Sequence, residues 1–108
     1  MRKFLPLFLL LLLLPANAQV AQKKPHTVTL KWNAPPVGTS TERVIGYNVY
    51  RSEEEHGKYT VIARKVTAQT YTDADLKFGH TYYYRVTSVA ASGRESTAAV
   101  TKATIPAN

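Results

Sequence analysis

The chain is 108 residues long, contains no cysteine, and carries 14 lysine and arginine residues against 7 aspartate and glutamate residues. This length allows one domain, and the lack of cysteine excludes a disulfide framework and a thiol that could accept lipid. The net charge of +7 favours good solubility or an anionic partner and indicates no particular activity.

The first 18 residues have the organisation of a secretory signal peptide. Two basic residues precede an apolar run over Phe4 to Leu14, and Ala16 to Ala18 offers the small residues that signal peptidase requires. The run is shorter than the roughly 20 residues that span a bilayer, so we expect cleavage after Ala18 and no stable membrane insertion. The mature chain then begins at Gln19 and is secreted or periplasmic, where no nucleic-acid partner is expected.

Residues 19–25 are polar and predict an N-terminal tail or a short edge strand. The chain then alternates apolar and polar residues over His26 to Trp32, which is typical of a half-buried strand. Its inward residues are Val28, Leu30 and Trp32. Residues 33–43 contain two prolines, a glycine and a Thr-Ser-Thr run, and they predict a long loop.

Five further strands are predicted, separated by turn signals at intervals of about 8 to 12 residues. They cover Val44 to Arg51, Tyr59 to Ala63, Thr70 to Thr72, Tyr82 to Ala90 and Ser96 to Ile105. In the first of them, alternation places Ile45, Tyr47 and Val49 on the core face. No helical period appears after the leader, so the class is all-β.

The strand that begins with three tyrosines predicts one buried and one solvent-exposed face. Alternation places Tyr82, Tyr84, Val86 and Ser88 in the core and turns Tyr83, Arg85 and Thr87 outward. Residues 73–80, which contain a glycine, are predicted to form the corner before this strand.

Several short motifs mark these strands and turns. They are Val28-x-Leu30-x-Trp32 followed by Pro35-Pro36, Gly46-Tyr47-x-Val49-Tyr50, Leu76-x-x-Gly79-x-x-Tyr82, Tyr84-x-Val86-x-Ser88-Val89, and Gly93. Together they resemble the fibronectin type III domain over residues 26–106, which leaves 107–108 as a C-terminal tail. The resemblance implies an immunoglobulin-like antiparallel β-sandwich with a tyrosine corner. It also implies a structural core made of Trp32, Tyr47, Leu76, Gly79, Tyr82, Tyr84 and Val86.

The chain departs from this family pattern at two places. The family usually has proline before the corner glycine, whereas this chain has Phe78, which either packs under the turn or lies exposed. Only thirteen residues, 19–31, precede Trp32 in the mature chain, so the first strand is expected to be short or absent. The strand over residues 26–32 then has a poorly covered edge, which either a partner strand uses or the tail covers.

Two surfaces are candidates for partner binding. Tyr50 and Tyr83 point outward beside Arg85, where they either anchor a partner or only stabilise the sheet by cross-strand pairing. The family topology also brings basic loop residues to one pole, where they either attract an acidic partner or are dispersed solvated charges. These residues are Arg43, Arg64, Lys65 and Arg94.

No pattern for catalysis, a cofactor or a metal stands out. The three histidines, His26, His56 and His80, come from different turns and lack a metal-ligand spacing, and the Asp73-x-Asp75 pair is weak evidence for calcium. No nucleophile stands beside a positioned base. We therefore predict a non-catalytic module that binds a protein or cell-envelope component, and a cluster of the basic loop residues would favour an acidic one. The alternatives are a polysaccharide-binding accessory that uses Tyr50 and Tyr83, and a passive structural subunit.

Overall fold

The structure is a computed structural model in which residues 9–13, 26–34 and 42–107 are described. Seven strands form within these residues. They are β1 (Leu9–Leu13), β2 (His26–Trp32), β3 (Val44–Ser52), β4 (Thr60–Val66), β5 (Thr70–Leu76), β6 (Thr81–Ala90) and β7 (Ala99–Thr104). The described residues contain no helix long and apolar enough to cross a membrane.

The strands form two antiparallel sheets, one with the order β1-β2-β5 and one with the order β4-β3-β6-β7. The two sheets enclose one apolar core, so the predicted all-β, immunoglobulin-like sandwich is confirmed. Alternating residues of β2, β3 and β6 supply most of the core, because every second side chain of a strand points to the same face. The buried members include Val28, Leu30, Trp32, Tyr47, Val49, Leu76, Tyr82, Tyr84 and Val86.

The turn before β6 is a tyrosine corner. The backbone N–H of Lys77 donates a hydrogen bond of 3.0 Å to the hydroxyl of buried Tyr82. Gly79 was expected among the core residues but is exposed in this turn, where its φ of 81° favours glycine. Phe78, in the place of the family proline, packs against the core, with its ring 4.9 Å from that of His26.

The strand β5 is longer than the sequence predicts, and its last residues pair with β2, where Leu76 stands opposite His26 and Asp73 opposite Val28. Residues 73–76 were expected in a corner but belong to the strand, which ends at Leu76. Asp73 is only 6% exposed and accepts hydrogen bonds from Arg51 and Tyr84. Alternation of apolar residues cannot detect this position, because an inward carboxylate looks polar in the pattern. β4 likewise extends beyond the predicted Ala63, to Val66.

The start of β3 differs from simple alternation. The β3–β6 ladder is irregular between Val44 and Gly46, and Val44 rather than the predicted Ile45 packs against the core. A β-bulge of this kind shifts the inward positions by one residue. Gly46 also lies close to β4, because a Cβ atom added to it would stand 2.9 Å from Cα of Lys65.

The first strand lies inside the segment predicted to be the leader. β1 pairs with β2 from Leu9 opposite Trp32 to Leu13 opposite Val28. The full chain therefore has a first strand of five residues, and cleavage after Ala18 would remove it. The signal peptide, its cleavage and the domain boundaries remain predictions, and the tail over residues 19–25 lies outside the described residues.

Candidate functional site

A cleft of about 280 Å³ lies on the outer face of the four-stranded sheet. Its floor is formed by β3 and β6, where Tyr50 stands opposite Arg85. Tyr59, just before β4, lines it together with Glu95, Ser96 and Ala98, which belong to the connection from β6 to β7.

Glu95 is fixed in the cleft by hydrogen bonds from the sheet. Its Oε1 accepts one bond from the hydroxyl of Tyr50 and one from Oγ1 of Thr87, each 2.7 Å long. Burial opposes ionisation of the Glu95 carboxyl, but hydrogen bonds from Thr87, Tyr50 and Asn48 outweigh it and hold the pKa below its ordinary value. Burial, followed by the bond to Glu95, raises the pKa of Tyr50. The cleft therefore contains a fixed carboxylate.

The connection from β6 to β7 folds back on β6 and brings Glu95 to the sheet. Glu95 forms an isolated antiparallel bridge with Val89, and the N–H of Ser96 donates to the carbonyl of Ser88 at 2.9 Å. This return covers Thr87, which is buried although it belongs to the outward face of β6. The sequence showed only a polar loop here, so it did not identify Glu95 as a site residue.

Arg85 provides the positive charge of the cleft. Its guanidinium carbon stands 4.1 Å from the centre of the Tyr59 ring, a cation–π arrangement. The Tyr59 hydroxyl donates to the carbonyl of Glu55 at 2.9 Å and so anchors the ring. Arg85 is exposed, and among the described residues no carboxylate lies within ion-pair distance of it. Sequence reasoning assigned Tyr59 only to a short strand.

Tyr83 shares the outer face but not the cleft. It stands opposite Ser52 on β3 and Lys102 on β7, and it is half-buried. Tyr50 is opposite Arg85, so the two tyrosines are diagonal neighbours across the strands. The structure therefore places Tyr50 and Arg85 in the cleft and Tyr83 next to it.

The four predicted basic loop residues are all exposed, but their surroundings differ. Arg94 forms an ion pair of 3.1 Å with Glu42, and the carbonyl of Arg43 accepts a hydrogen bond from Ala91. The charge of Arg64 acts on Tyr50 and Glu95, so this residue belongs near the cleft. Lys65 has a φ of 54° and donates its N–H to Oδ1 of Asn48.

The histidines lie in separate environments. His26 is buried against Phe78, while Nδ1 of His80 is 2.9 Å from the Glu53 carboxylate, a contact that lowers the pKa of that carboxyl. His56 is exposed beside Glu55. Within the described part of the chain, no three histidine, aspartate or glutamate residues are grouped in a way that could hold a metal ion.

Asp73 and Asp75, considered above for calcium, both belong to β5 but lie in different environments, since Asp73 is buried and Asp75 is exposed. Both oxygens of Asp73 accept from Nη1 of Arg51 at 2.9 Å, and Oδ2 also accepts from the Tyr84 hydroxyl at 2.8 Å. Asp75 is exposed at the end of β5, with a φ of 61°. Asp73 therefore serves a buried structural network.

Comparison with known proteins assigns the family. The model of the fibronectin type III domain matches residues 14–104. The chain belongs to the fibronectin type III family. The match begins before the domain start of residue 26 that the sequence motifs indicated.

Similar fibronectin type III modules occur in proteins of different kinds. Myosin-binding protein H of Gallus gallus is 34% identical over 86 residues, which are 80% of this chain and 16% of that protein. Amylopullulanase of Thermoanaerobacter thermohydrosulfuricus is 39% identical over 69 residues, which are 64% of this chain and 4% of that protein. The crystal structure of an Fn3-like protein from Clostridium thermocellum matches with a TM-score of 0.61 at 36% identity, covering 76% of this chain and 79% of that one. The chain thus spans only a small part of these two curated relatives.

Proposed function

We propose that this fibronectin type III module is non-catalytic and binds a protein partner of the cell envelope through the outer face of its four-stranded sheet. The observation that carries the proposal is the cleft, where an exposed guanidinium rests on an aromatic ring beside a fixed carboxylate. Exposed arginine and tyrosine side chains are enriched among the residues that dominate binding energy at protein interfaces.

The chemistry of the cleft supports binding rather than catalysis. A general acid or base works best when its pKa lies near the working pH, whereas the Glu95 pKa is held below its ordinary value by donors that need the charged form. The hydroxyls of Tyr50 and Thr87 both donate to Glu95, but this carboxylate is a weak base because its pKa is held below the ordinary value, so it is poorly suited to activate either hydroxyl as a nucleophile.

The proposed location of the protein in the cell envelope rests on its N-terminal sequence. A basic start, an apolar run and Ala16 to Ala18 support export and cleavage after Ala18. The intact mass of the protein recovered from its native host tests this directly. The mass of a chain that begins at Gln19 is expected, and the mass of the complete chain would contradict export with cleavage.

Capture of the partner tests the function. The mature protein is immobilised, cross-linked to native envelope extract, and compared with Arg85→Ala and Lys31→Ala. Both variants lose one exposed positive charge, but Lys31 lies on β2, in the other sheet. We expect the same protein to be captured by the wild type and by Lys31→Ala, and to be lost with Arg85→Ala. Equal capture by both variants would contradict the proposed face.

Polysaccharide binding is the second candidate. It is supported by the similarity to modules of amylopullulanase and by the tyrosines Tyr50 and Tyr83 on the outer face. Affinity electrophoresis in gels that contain starch or pullulan separates the two functions. Retarded migration that is lost in Tyr83→Ala favours the polysaccharide. No retardation together with no captured protein favours a passive structural subunit.

A further inference from the structure

We infer that the cleft on the outer sheet face receives an acidic side chain of the partner protein, whose carboxylate pairs with Arg85. The inference rests on the proposed function and specifies the chemistry of its partner. It goes beyond a generally basic surface, because one guanidinium in one cleft is assigned the contact.

Arg85 is held over an aromatic ring and has no ion-pair partner among the described residues. Its guanidinium carbon lies over the Tyr59 ring, 4.1 Å from the ring centre, and this contact restricts the positions of the guanidinium. Planar guanidinium groups bind carboxylates with two parallel hydrogen bonds, and restricting the plane beforehand reduces the entropy lost on binding. Arg51 differs from Arg85 in this respect, because the guanidinium of Arg51 is already paired with Asp73.

The aromatic rings of the cleft offer little open surface to a ligand. A sugar ring needs an open aromatic face, but the guanidinium of Arg85 covers one face of Tyr59. The Tyr50 hydroxyl donates to Glu95, and its ring is half-buried. These contacts favour a compact charged side chain over a stacked sugar as the occupant.

The polarity of the cleft also restricts its occupant. Glu95 adds a fixed negative charge whose Oε1 is held by Tyr50 and Thr87. This charge disfavours any further acidic side chain beside the one that pairs with Arg85, and it attracts a hydrogen-bond donor. The partner segment is therefore expected to present one acidic side chain with a lysine, serine or threonine close to it, rather than a run of acidic residues. Removal of residues 1–18 takes away Arg2 and Lys3, which leaves 12 basic against 7 acidic residues, and this net charge of +5 promotes the encounter at longer range.

A titration with small probes tests this chemistry without the partner. Amide chemical shifts of the isotope-labelled mature protein are followed by NMR while a blocked peptide, acetyl-Ala-Glu-Ala-Lys-amide, is added. The expected shifts are centred on Tyr59, Arg85 and Glu95. Replacing the glutamate of the peptide by glutamine, or Arg85 by alanine, is expected to weaken binding about tenfold, since hydrogen bonds between charged groups contribute more than neutral ones.

The control variants separate position from charge. Lys31→Ala removes a charge from the other sheet and is expected to leave the affinity unchanged. Tyr59→Leu removes the ring under Arg85 and is expected to weaken binding several-fold, whereas Tyr59→Phe keeps the ring but loses the bond to Glu55 and is expected to weaken binding less. An unchanged dispersion of amide signals verifies that each variant is folded.

The outcomes distinguish the inference from the function on which it rests. Equal binding of the glutamate and glutamine peptides, or chemical-shift changes centred elsewhere, would overturn the inferred contact between an acidic side chain and Arg85. This holds even if Arg85→Ala still abolished partner capture. Stronger binding of glucuronate or maltotriose than of the peptide would also overturn it and would favour the polysaccharide. Peptide binding at Arg85 with unaffected partner capture would instead contradict the proposed function.

Discussion

At the scale of single residues, the network of Asp73, Arg51 and Tyr84 shows how the core tolerates a buried charge. The carboxylate is almost fully buried, but it accepts bonds from both partners. Asp73→Ala leaves Arg51 without its counter-charge and Tyr84 without its acceptor, and we expect a loss of about 3 kcal/mol of unfolding free energy. Tyr84→Phe removes only one bond and is expected to cost about 1 kcal/mol. Urea denaturation measures both, and equal losses would contradict this account.

Tyr82 carries two separable contributions at the tyrosine corner. Its ring is buried and its hydroxyl accepts from the N–H of Lys77. Tyr82→Phe keeps the ring and is expected to cost about 1 kcal/mol, while Tyr82→Ala creates a cavity and costs roughly 3 to 5 kcal/mol. Thermal or urea unfolding of both variants tests this. A nearly neutral Tyr82→Ala would show that the corner is dispensable.

The pH dependence of stability contains a contribution from Glu95. In the folded state the pKa of Glu95 lies below its ordinary value of 4.5. The ionised carboxylate therefore stabilises the fold above pH 4.5, and this stabilisation disappears as the pH falls through the folded pKa. The stability difference between wild type and Glu95→Gln should therefore be largest near neutral pH and shrink in acid. Glu54→Gln, in the exposed turn, removes one acidic charge outside the cleft and provides the matched control. A constant difference for Glu95→Gln would contradict the assigned bonds.

At the scale of strands, sequence alternation predicted β2, β3 and β6 well because one face of each is buried in the core. It failed where side chains from distant segments decide the structure. Buried Asp73 in β5 has its counter-charge on Arg51, which is 22 residues away, and the cleft depends on Glu95 after the chain turns back on β6. A polar loop residue and a polar site residue have the same signature in sequence, so Glu95 and Tyr59 could not be recognised as site residues.

The close contact between β3 and β4 predicts the effect of changing Gly46. A side chain there would meet the backbone of Lys65, which cannot move without shifting β4. We expect Gly46→Ala to cost about 1 to 3 kcal/mol. Gly79→Ala meets no atom within 4 Å but must adopt a φ of 81°, and it is expected to cost about 1 to 2 kcal/mol from backbone strain alone. Urea denaturation compares them, and a stabilised Gly46→Ala would contradict the assigned contact.

At the scale of the whole molecule, the first strand lies inside the predicted leader. β1 pairs with β2 in the complete chain, and the predicted cleavage after Ala18 removes it. The core residues of β2 to β7 remain, so we expect the mature chain to unfold cooperatively. Amide hydrogens along the outer edge of β2 should exchange faster in the mature chain than in the complete chain. Hydrogen exchange measured by NMR on both forms checks this, and identical protection would indicate that β1 does not contribute to the sheet.

The molecule as a whole presents two different sheet surfaces, and we propose that only the outer face of the four-stranded sheet binds a partner. A photo-cross-linking amino acid, benzoylphenylalanine, placed at Tyr83 lies beside the cleft, and the same group placed at Lys31 lies on the other sheet. Both variants are illuminated with native envelope extract, and the covalent products are identified by mass spectrometry. We expect one partner protein to be joined at position 83 and not at position 31. Cross-linking at position 31 alone, or equally at both positions, would contradict the account.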